Sequence, residues 1–409
     1  MSYFNSGRSR FNGGRSKFGG NSGGPRRGGY SQGGGRRNGA NKQYIDPSRF
    51  IKAAKQVEEE VYVPKHSFAD FNINPLIKKN IEIKGFTTPS KIQDQAIPFG
   101  LDGKDVIGIA NTGTGKTTAF ALPVINQLME YPQAKALILA PTRELAMQIE
   151  EECRSFAKGS GLRGALVIGG APMYRQTRDL QNNPNIVIGT PGRLKDHFNR
   201  GNIDLSKFTI VVLDEVDRMV DMGFINDIRM LLGEVSEVRQ SLFFSATMDA
   251  KIESLINTFM TEPVKVSVRT SATSDNVEQN VVHHTKNDKL EKLHDILSKE
   301  HVSKTLVFDE TQRNVEKLSQ ELYNRGFSVE SLHGGKSQGQ RLRALKRFKN
   351  NEVTVLVATD VAARGIDVAD ITHVINYTTP NSYDDYTHRV GRAGRAGRKG
   401  YALTFVEKY

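Results

Sequence analysis

The chain has 409 residues, 37% of them apolar, a single cysteine and a formal net charge of +12. At about 150 residues per domain, that length predicts two or three domains. Cys153 on its own excludes an intramolecular disulfide and a cysteine metal cluster, and it reads as a small core residue on a helix in a reducing compartment. No apolar run approaches the roughly 18 residues of a membrane span, and no hydrophobic leader opens the chain, so a soluble, cytoplasmic protein with no membrane partner is expected.

Residues 1–45 hold 13 glycines, nine Lys/Arg and no acidic residue. Such a segment has too little apolar surface to fold. Its arginines (Arg8, Arg15, Arg26, Arg27, Arg36, Arg37) and interspersed aromatics (Phe4, Phe11, Phe18, Tyr30, Tyr44) suit phosphates and base faces without sequence preference. A disordered Gly/Arg-rich RNA-binding tail is expected. Removing those nine cations leaves 48 basic against 45 acidic residues over 46–409, so any nucleic-acid surface there must be a local stripe.

Residues 46–67 read as an N-terminal extension. From Phe68 to Val268 strands alternate with helices, the strands falling at 106–110, 136–140, 164–168, 186–189, 209–213 and 241–244. Continuous β-branched runs bounded by helices predict a parallel sheet covered on both faces. Residues 269–276 are polar and aperiodic, as a linker would be. Alternation resumes over 277–409, with strands at 304–308, 328–332, 354–358, 372–376 and 401–406 and helices at 311–325, 338–349 and 383–390. The fold class is therefore α/β: two parallel-sheet domains in tandem, 68–268 and 277–409, with ligands beyond the carboxyl ends of strands.

The stretch Ala110-Asn111-Thr112-Gly113-Thr114-Gly115-Lys116-Thr117 joins a buried strand to a long helical pattern. Backbone N–H groups at such a helix start favour an anion, with Lys116 reaching outer phosphates and the Thr117 hydroxyl placed for Mg²⁺. Ala110 stands where the strict phosphate-loop pattern has its first glycine. Ile210-Val211-Val212-Leu213 then delivers Asp214-Glu215-Val216-Asp217 at a strand end. Phosphoanhydride hydrolysis needs a carboxylate on Mg²⁺, assigned to Asp214, and a group that orients water, assigned to Glu215. In the second domain, Arg392 and Arg395 share a face if helical, and two guanidiniums aimed at one point suit a transferring γ-phosphoryl group.

These motifs occur in an order that resembles the DEAD-box RNA helicases of helicase superfamily two, from about Phe68 to Phe405. Gly85 to Gln93 is similar to the family's Q motif, with Phe68 seventeen residues before Gly85. The phosphate loop, Pro141-Thr142-Arg143-Glu144-Leu145-Ala146, Gly169-Gly170, Thr190-Pro191-Gly192-Arg193, the acidic box and Ser245-Ala246-Thr247 follow. His333-Gly334, Gln338 to Arg341, Thr359 to Asp367 and the arginine run complete the match.

The resemblance implies RecA-like domains, ATP and Mg²⁺ as cofactors, and RNA-stimulated ATP hydrolysis that unwinds short duplexes or remodels ribonucleoproteins as a monomer. It implies that Gln93 reads adenine, Phe68 stacks on it, Asp367 contacts the ribose, and Arg392 and Arg395 meet the γ-phosphate. Ser245 and Thr247 would couple hydrolysis to closure by bonding towards Asp217 and His388. RNA would lie along Pro141, Thr142, Arg143, Gly170, Thr190 and Arg193, and along Gly334, Arg341, Thr359 and Gly365, mostly through its backbone. Three positions depart from the family: Val216 for alanine, Gly335 for an acid and Thr378 for an acid. A non-catalytic, ATP-gated RNA-binding scaffold, with Val216 having switched off hydrolysis, is the alternative; a DNA-translocating helicase is a third reading.

Overall fold

Two parallel sheets account for the strand pattern. In the first lobe the strands are β1 (Val106–Ala110), β2 (Ala136–Leu139), β3 (Gly164–Val167), β4 (Ile186–Gly189), β5 (Ile210–Leu213), β6 (Gln240–Ser245) and β7 (Val264–Val268). They lie in the order β3-β4-β2-β5-β6-β1-β7, every neighbour parallel. The second lobe contributes β8 (Val277–His284), β9 (Thr305–Phe308), β10 (Val329–Leu332), β11 (Val355–Ala358), β12 (His373–Asn376) and β13 (Gly400–Glu407), ordered β10-β11-β9-β12-β13-β8. The computed structural model describes residues 45–54, 62–111, 113–268, 276–363, 368, 370–394 and 398–408, and Lys42–Tyr409 forms one compact unit. The tail (1–44), nearly all of the linker, Thr112, Gly365, Asp367 and Arg395 lie outside the described residues.

Side-chain alternation explains why these strands read as continuous apolar runs. Along β5, Ile210 and Val212 enter one core while Val211 and Leu213 enter the other. Helices Lys91–Leu101, Lys116–Glu130 and Arg143–Phe156 cover the first face, and Val216–Asp221, Ile225–Glu234 and Ala250–Phe259 cover the second. The second lobe repeats this along β9, with Leu306 and Phe308 on one side and Val307 on the other. Cys153 is buried on a helix, and burial pushes its thiol up to about 12. Among the described residues, no helix is long and apolar enough to cross a membrane.

Sequence patterning misses β7, β8 and the helix Lys289–Leu297. Both strands are sheet edges, buried on alternate residues only, so Val-Lys-Val-Ser-Val and Val277 to His284 carry no continuous apolar run.

At the amino end of the second sheet, His373 stacks on Tyr401 with ring centroids 4.9 Å apart. Burial, followed by His301 and Lys299, lowers its pKa to about 4 from an ordinary 6.5. Unfolding therefore takes up a proton between those values, and stability present at neutral pH is lost as the pH falls from 6.5 towards 4. The expected loss is about 2 kcal/mol by urea denaturation at pH 4.5 against pH 7, and His373→Phe should flatten that dependence.

Candidate active site

The sheet order puts the chemistry side by side. β5, β6 and β1 are neighbours, so the acidic box, Ser245-Ala246-Thr247 and the phosphate loop leave adjacent strand ends. Ala110 is the last residue of β1, paired with Val268 of β7, and has no positive φ, so this position does not require glycine. Gly115 does: its φ is +92°, and a Cβ there would lie 2.3 Å from Gln93 Nε2. Gln93 braces the loop from behind, donating to the Gly115 carbonyl at 3.1 Å while its Oε1 accepts from Ser90 N–H at 2.9 Å. Ser90 Oγ donates to the Thr114 carbonyl at 2.7 Å, and Thr114 Oγ1 to that of Asn111 at 2.8 Å. Lys116 folds back to donate to the Ala110 carbonyl at 2.8 Å. Phe68 is buried and stacks against Phe86 at 6.3 Å, and Phe86 is the ring that lines the cleft.

Asp214 and Glu215 do not diverge by simple strand alternation. β5 ends at Leu213, and Glu215 turns the chain with φ +52°, a strained value for a non-glycine residue. Its N–H donates to Asp214 Oδ1 at 2.9 Å, and its own carboxylate pairs with Arg218 Nη1 at 2.8 Å, both side chains buried. Burial pushes the Asp214 carboxyl up to about 7, against the opposing pull of the Lys116 ammonium. Val216 is wholly buried among Leu213, Met219 and Phe243, so its extra methyls enter the core. Asp217 Oδ2 accepts from Ala246 N–H at 3.0 Å, Thr247 N–H at 3.1 Å and Thr247 Oγ1 at 3.4 Å, and Asp217 N–H donates to Ser245 Oγ at 3.3 Å. The tie from β6 to the acidic box is therefore carried mainly by backbone amides.

In the second lobe the helix Tyr383–Val390 ends at Gly391, whose N–H bonds to the Thr387 carbonyl. Arg392 lies beyond that end, so the shared helical face expected for Arg392 and Arg395 is not how Arg392 is aimed. Arg392 nevertheless lines a cleft of about 510 Å³ together with Lys116, Thr117, Asp214 and Glu215 of the first lobe. The residue that patterning passed over is Arg389. It is buried, bonds Asp360 through two nitrogens at 2.6 and 2.7 Å, reaches the Thr378 carbonyl at 2.8 Å, and lies 5.0 Å over the Phe308 ring. His388 borders a small cavity with Asp360, Arg389 and Arg392.

The residues expected to meet RNA fall into two groups. Thr142 caps the helix Arg143–Phe156, accepting from Leu145 N–H at 3.2 Å, behind a buried Pro141. Arg143 packs on Gly170, where φ is +79° and a Cβ would lie 2.3 Å from its Nη1. Thr190 caps Pro191–Asn199, and Arg193 donates to the Ala171 carbonyl at 3.0 Å. Thr359, nearly buried, receives the N–H groups of Ala362 and Ala363, and Gly334 follows β10. Arg341 is the exception: its Nη2 pairs with Glu144 Oε2 of the first lobe at 2.8 Å, both side chains buried, and Gln338 Nε2 reaches the same carboxylate at 3.4 Å. Arg341, expected on the RNA face, is thus engaged in an ion pair between the lobes. Glu144 sat inside a quoted motif but was given no role, because a glutamate in a helix's first turn looks like dipole compensation. At the two other departures, Thr378 Oγ1 donates to buried Asp309 at 2.6 Å, and a Cβ at Gly335 would lie 2.7 Å from Gln312 Oε1.

An arrangement of this kind holds a triphosphate between two sheets, and the class it defines is a two-lobed nucleoside triphosphatase. Residues 90–255 match the DEAD/DEAH box helicase family, and residues 288–397 match the helicase conserved C-terminal domain. Over 345 residues the chain is 45% identical to the DEAD-box ATP-dependent RNA helicase CshA of Bacillus subtilis strain 168, covering 83% of this chain and 69% of that one. A DEAD box protein from the hyperthermophile Methanococcus jannaschii is 38% identical, with a TM-score of 0.51 over 85% of this chain and 94% of that one. S. cerevisiae Dbp5 bound to RNA and ADP BeF3 is 29% identical, with a TM-score of 0.73 over 84% and 90%. The chain belongs to the DEAD-box family of ATP-dependent RNA helicases, with two RecA-like lobes in tandem.

The Glu144–Arg341 pair gives a direct test. Arg341→Met leaves Glu144 buried without its partner, and breaking such a pair costs about 3–5 kcal/mol unless the lobes part. RNA affinity in the presence of a non-hydrolysable ATP analogue should fall at least about tenfold, and adding Glu144→Gln should recover part of it. Additive losses in the double variant would show that the pair is not coupled.

Proposed function

We propose that the chain hydrolyses ATP in an RNA-stimulated reaction, and that the two lobes close on nucleotide and RNA to separate short duplexes and remodel ribonucleoproteins. The observation that carries this reading is the single cleft lined by Lys116, Asp214 and Glu215 from one lobe and Arg392 from the other. A triphosphate spanning that cleft meets an ammonium and loop N–H groups on one side and a guanidinium on the other. Buried Arg389, locked to Asp360, fixes the end of the helix from which Arg392 emerges. Asp217 transmits displacement of Ser245-Ala246-Thr247 to the acidic box, since it shares four hydrogen bonds with those residues.

The donors in the cleft fit Mg²⁺. Thr117 and Asp214 offer a hydroxyl and one carboxylate, hard oxygens that suit an ion retaining waters and substrate phosphates. Among the described residues no cluster of three His, Cys, Asp or Glu forms an all-protein metal cage, as expected for an ion carried in with phosphates. When bound, Mg²⁺ supplies charge neutralisation on the phosphoryl oxygens. Glu215, held by Arg218, orients the attacking water, while the Val216 side chain is buried in the core.

RNA contacts supporting the reading are helix starts at Thr142 and Thr190 and the glycine turn at Gly170, features that follow a sugar–phosphate chain rather than bases. ATP turnover should rise with single-stranded RNA and far less with DNA. Arg392→Ala should lower kcat by about a thousandfold with nucleotide affinity retained, whereas Lys116→Ala should weaken nucleotide binding itself. Glu215→Gln should accumulate a stable complex with ATP and RNA. Normal turnover in Glu215→Gln would reject the assignment, turnover indifferent to RNA would reject the RNA-stimulated reaction, and RNA binding with no ATP turnover would leave the scaffold reading in its place.

A further inference from the structure

The extension that precedes the first lobe packs on the second. Pro47–Phe50 form a single 3₁₀ turn, capped by Asp46, whose carboxylate accepts from Ser48 N–H at 2.8 Å. Ile45 and Phe50 are buried in the second lobe's apolar cluster with Val277, Tyr386 and Val390. Lys52 exchanges two backbone hydrogen bonds with Gln279 of edge strand β8, at 3.0 and 2.8 Å, in antiparallel sense. The segment thus covers an edge that would otherwise present unpaired backbone.

Its side chains land on the helix Tyr383–Val390. Phe50 has no exposed surface and lies 4.7 Å, ring to ring, from Tyr386. The Arg49 guanidinium sits 4.0 Å from the centroid of Tyr383, one turn away on the same helix face. Tyr386 Oη in turn donates to Gln279 Oε1 at 2.8 Å, tying helix, edge strand and extension together. The same helix carries Arg389 and, past Gly391, releases Arg392 into the nucleotide cleft. At its other end the extension meets the first lobe. Lys65 and His66 donate their N–H groups to buried Asp94 at 2.9 and 3.1 Å, joined there by Tyr62 Oη, and Asp94 adjoins Gln93.

We propose that Ile45–Lys52 is a positioning element for the second lobe's arginines: Phe50 and Arg49 clamp Tyr386 and Tyr383 and so set the direction in which the helix delivers Arg392. Ile45–Lys52 lies outside the matched family regions, 90–255 and 288–397, whereas the two tyrosines and Arg392 lie inside the second. The inference rests on the role given to Arg392 above.

The test uses the full chain and RNA-stimulated ATP turnover. Displacing a catalytic group by about 1 Å costs up to about a hundredfold, so Phe50→Ala should lower kcat at least about tenfold. Binding of a fluorescent ATP analogue without RNA reports on the first lobe and should change by less than about twofold, because Gln93 and Lys116 are untouched. Phe50→Leu should recover most of kcat. Arg49 is exposed, so Arg49→Ala keeps the fold even if Phe50→Ala does not, and it should lower kcat about threefold with an unchanged melting temperature. Full kcat in Arg49→Ala and Phe50→Leu together with full kcat in Phe50→Ala would overturn the proposal, as would parallel loss of kcat and analogue affinity. A wild-type chain without RNA-stimulated turnover would instead overturn the function on which it rests.

Discussion

Charge held out of water at strand ends is the constraint on which the rest of this molecule depends. Asp214, Glu215, Asp217 and Lys116 are all nearly buried, and none could remain so without a defined partner. Lys116 answers Asp214 through the field, Arg218 answers Glu215, and the amides of Ala246 and Thr247 answer Asp217. The parallel sheet makes this possible by bringing three strand ends together, so each loop is fixed by a neighbour rather than by its own stiffness. The raised pKa of Asp214 records what that burial costs.

The second lobe uses the same device with the sign reversed. Arg389 is a buried cation satisfied by Asp360, Asn376 and the Thr378 carbonyl, which come from the ends of two strands, β11 and β12. It therefore locks its helix to the carboxyl ends of β11 and β12, while Arg392, three residues on, lines the cleft. The division of labour between adjacent arginines, one holding and one presenting, is a property of position relative to the helix end at Gly391.

How much of this could be read beforehand follows from where the information sits. Strands buried on both faces announce themselves, and β1, β2, β4, β5, β9 and β11 fall within a residue of their expected bounds. The strand-end motifs were legible because phosphate chemistry demands particular residue types at fixed spacing. Edge strands β7 and β8 were not, since half of each faces outward. Partners distant in sequence were invisible for a different reason. Nothing local in Arg341 points to Glu144, 197 positions earlier, and nothing in Phe50 points to Tyr386, because burial of a long-range pair leaves no periodic trace.

The cleft's charges explain why two lobes serve better than one. Its first-lobe lining carries Lys84, Lys116, Glu151, Glu152, Asp214 and Glu215, two formal positive charges against four negative. The second lobe contributes Lys349 and Arg392, both positive. The lobes therefore attract weakly across water, where such pairs are screened over roughly 10 Å. A magnesium-bound triphosphate remains an anion, so its arrival on the first lobe deepens the negative side while leaving the second lobe's cations unchanged. Closure then gains energy only in proportion to the charge that the nucleotide retains. On the role proposed for Arg392, cleavage and loss of the γ-phosphate would remove that charge, and the reaction would consume the interaction that draws the lobes together.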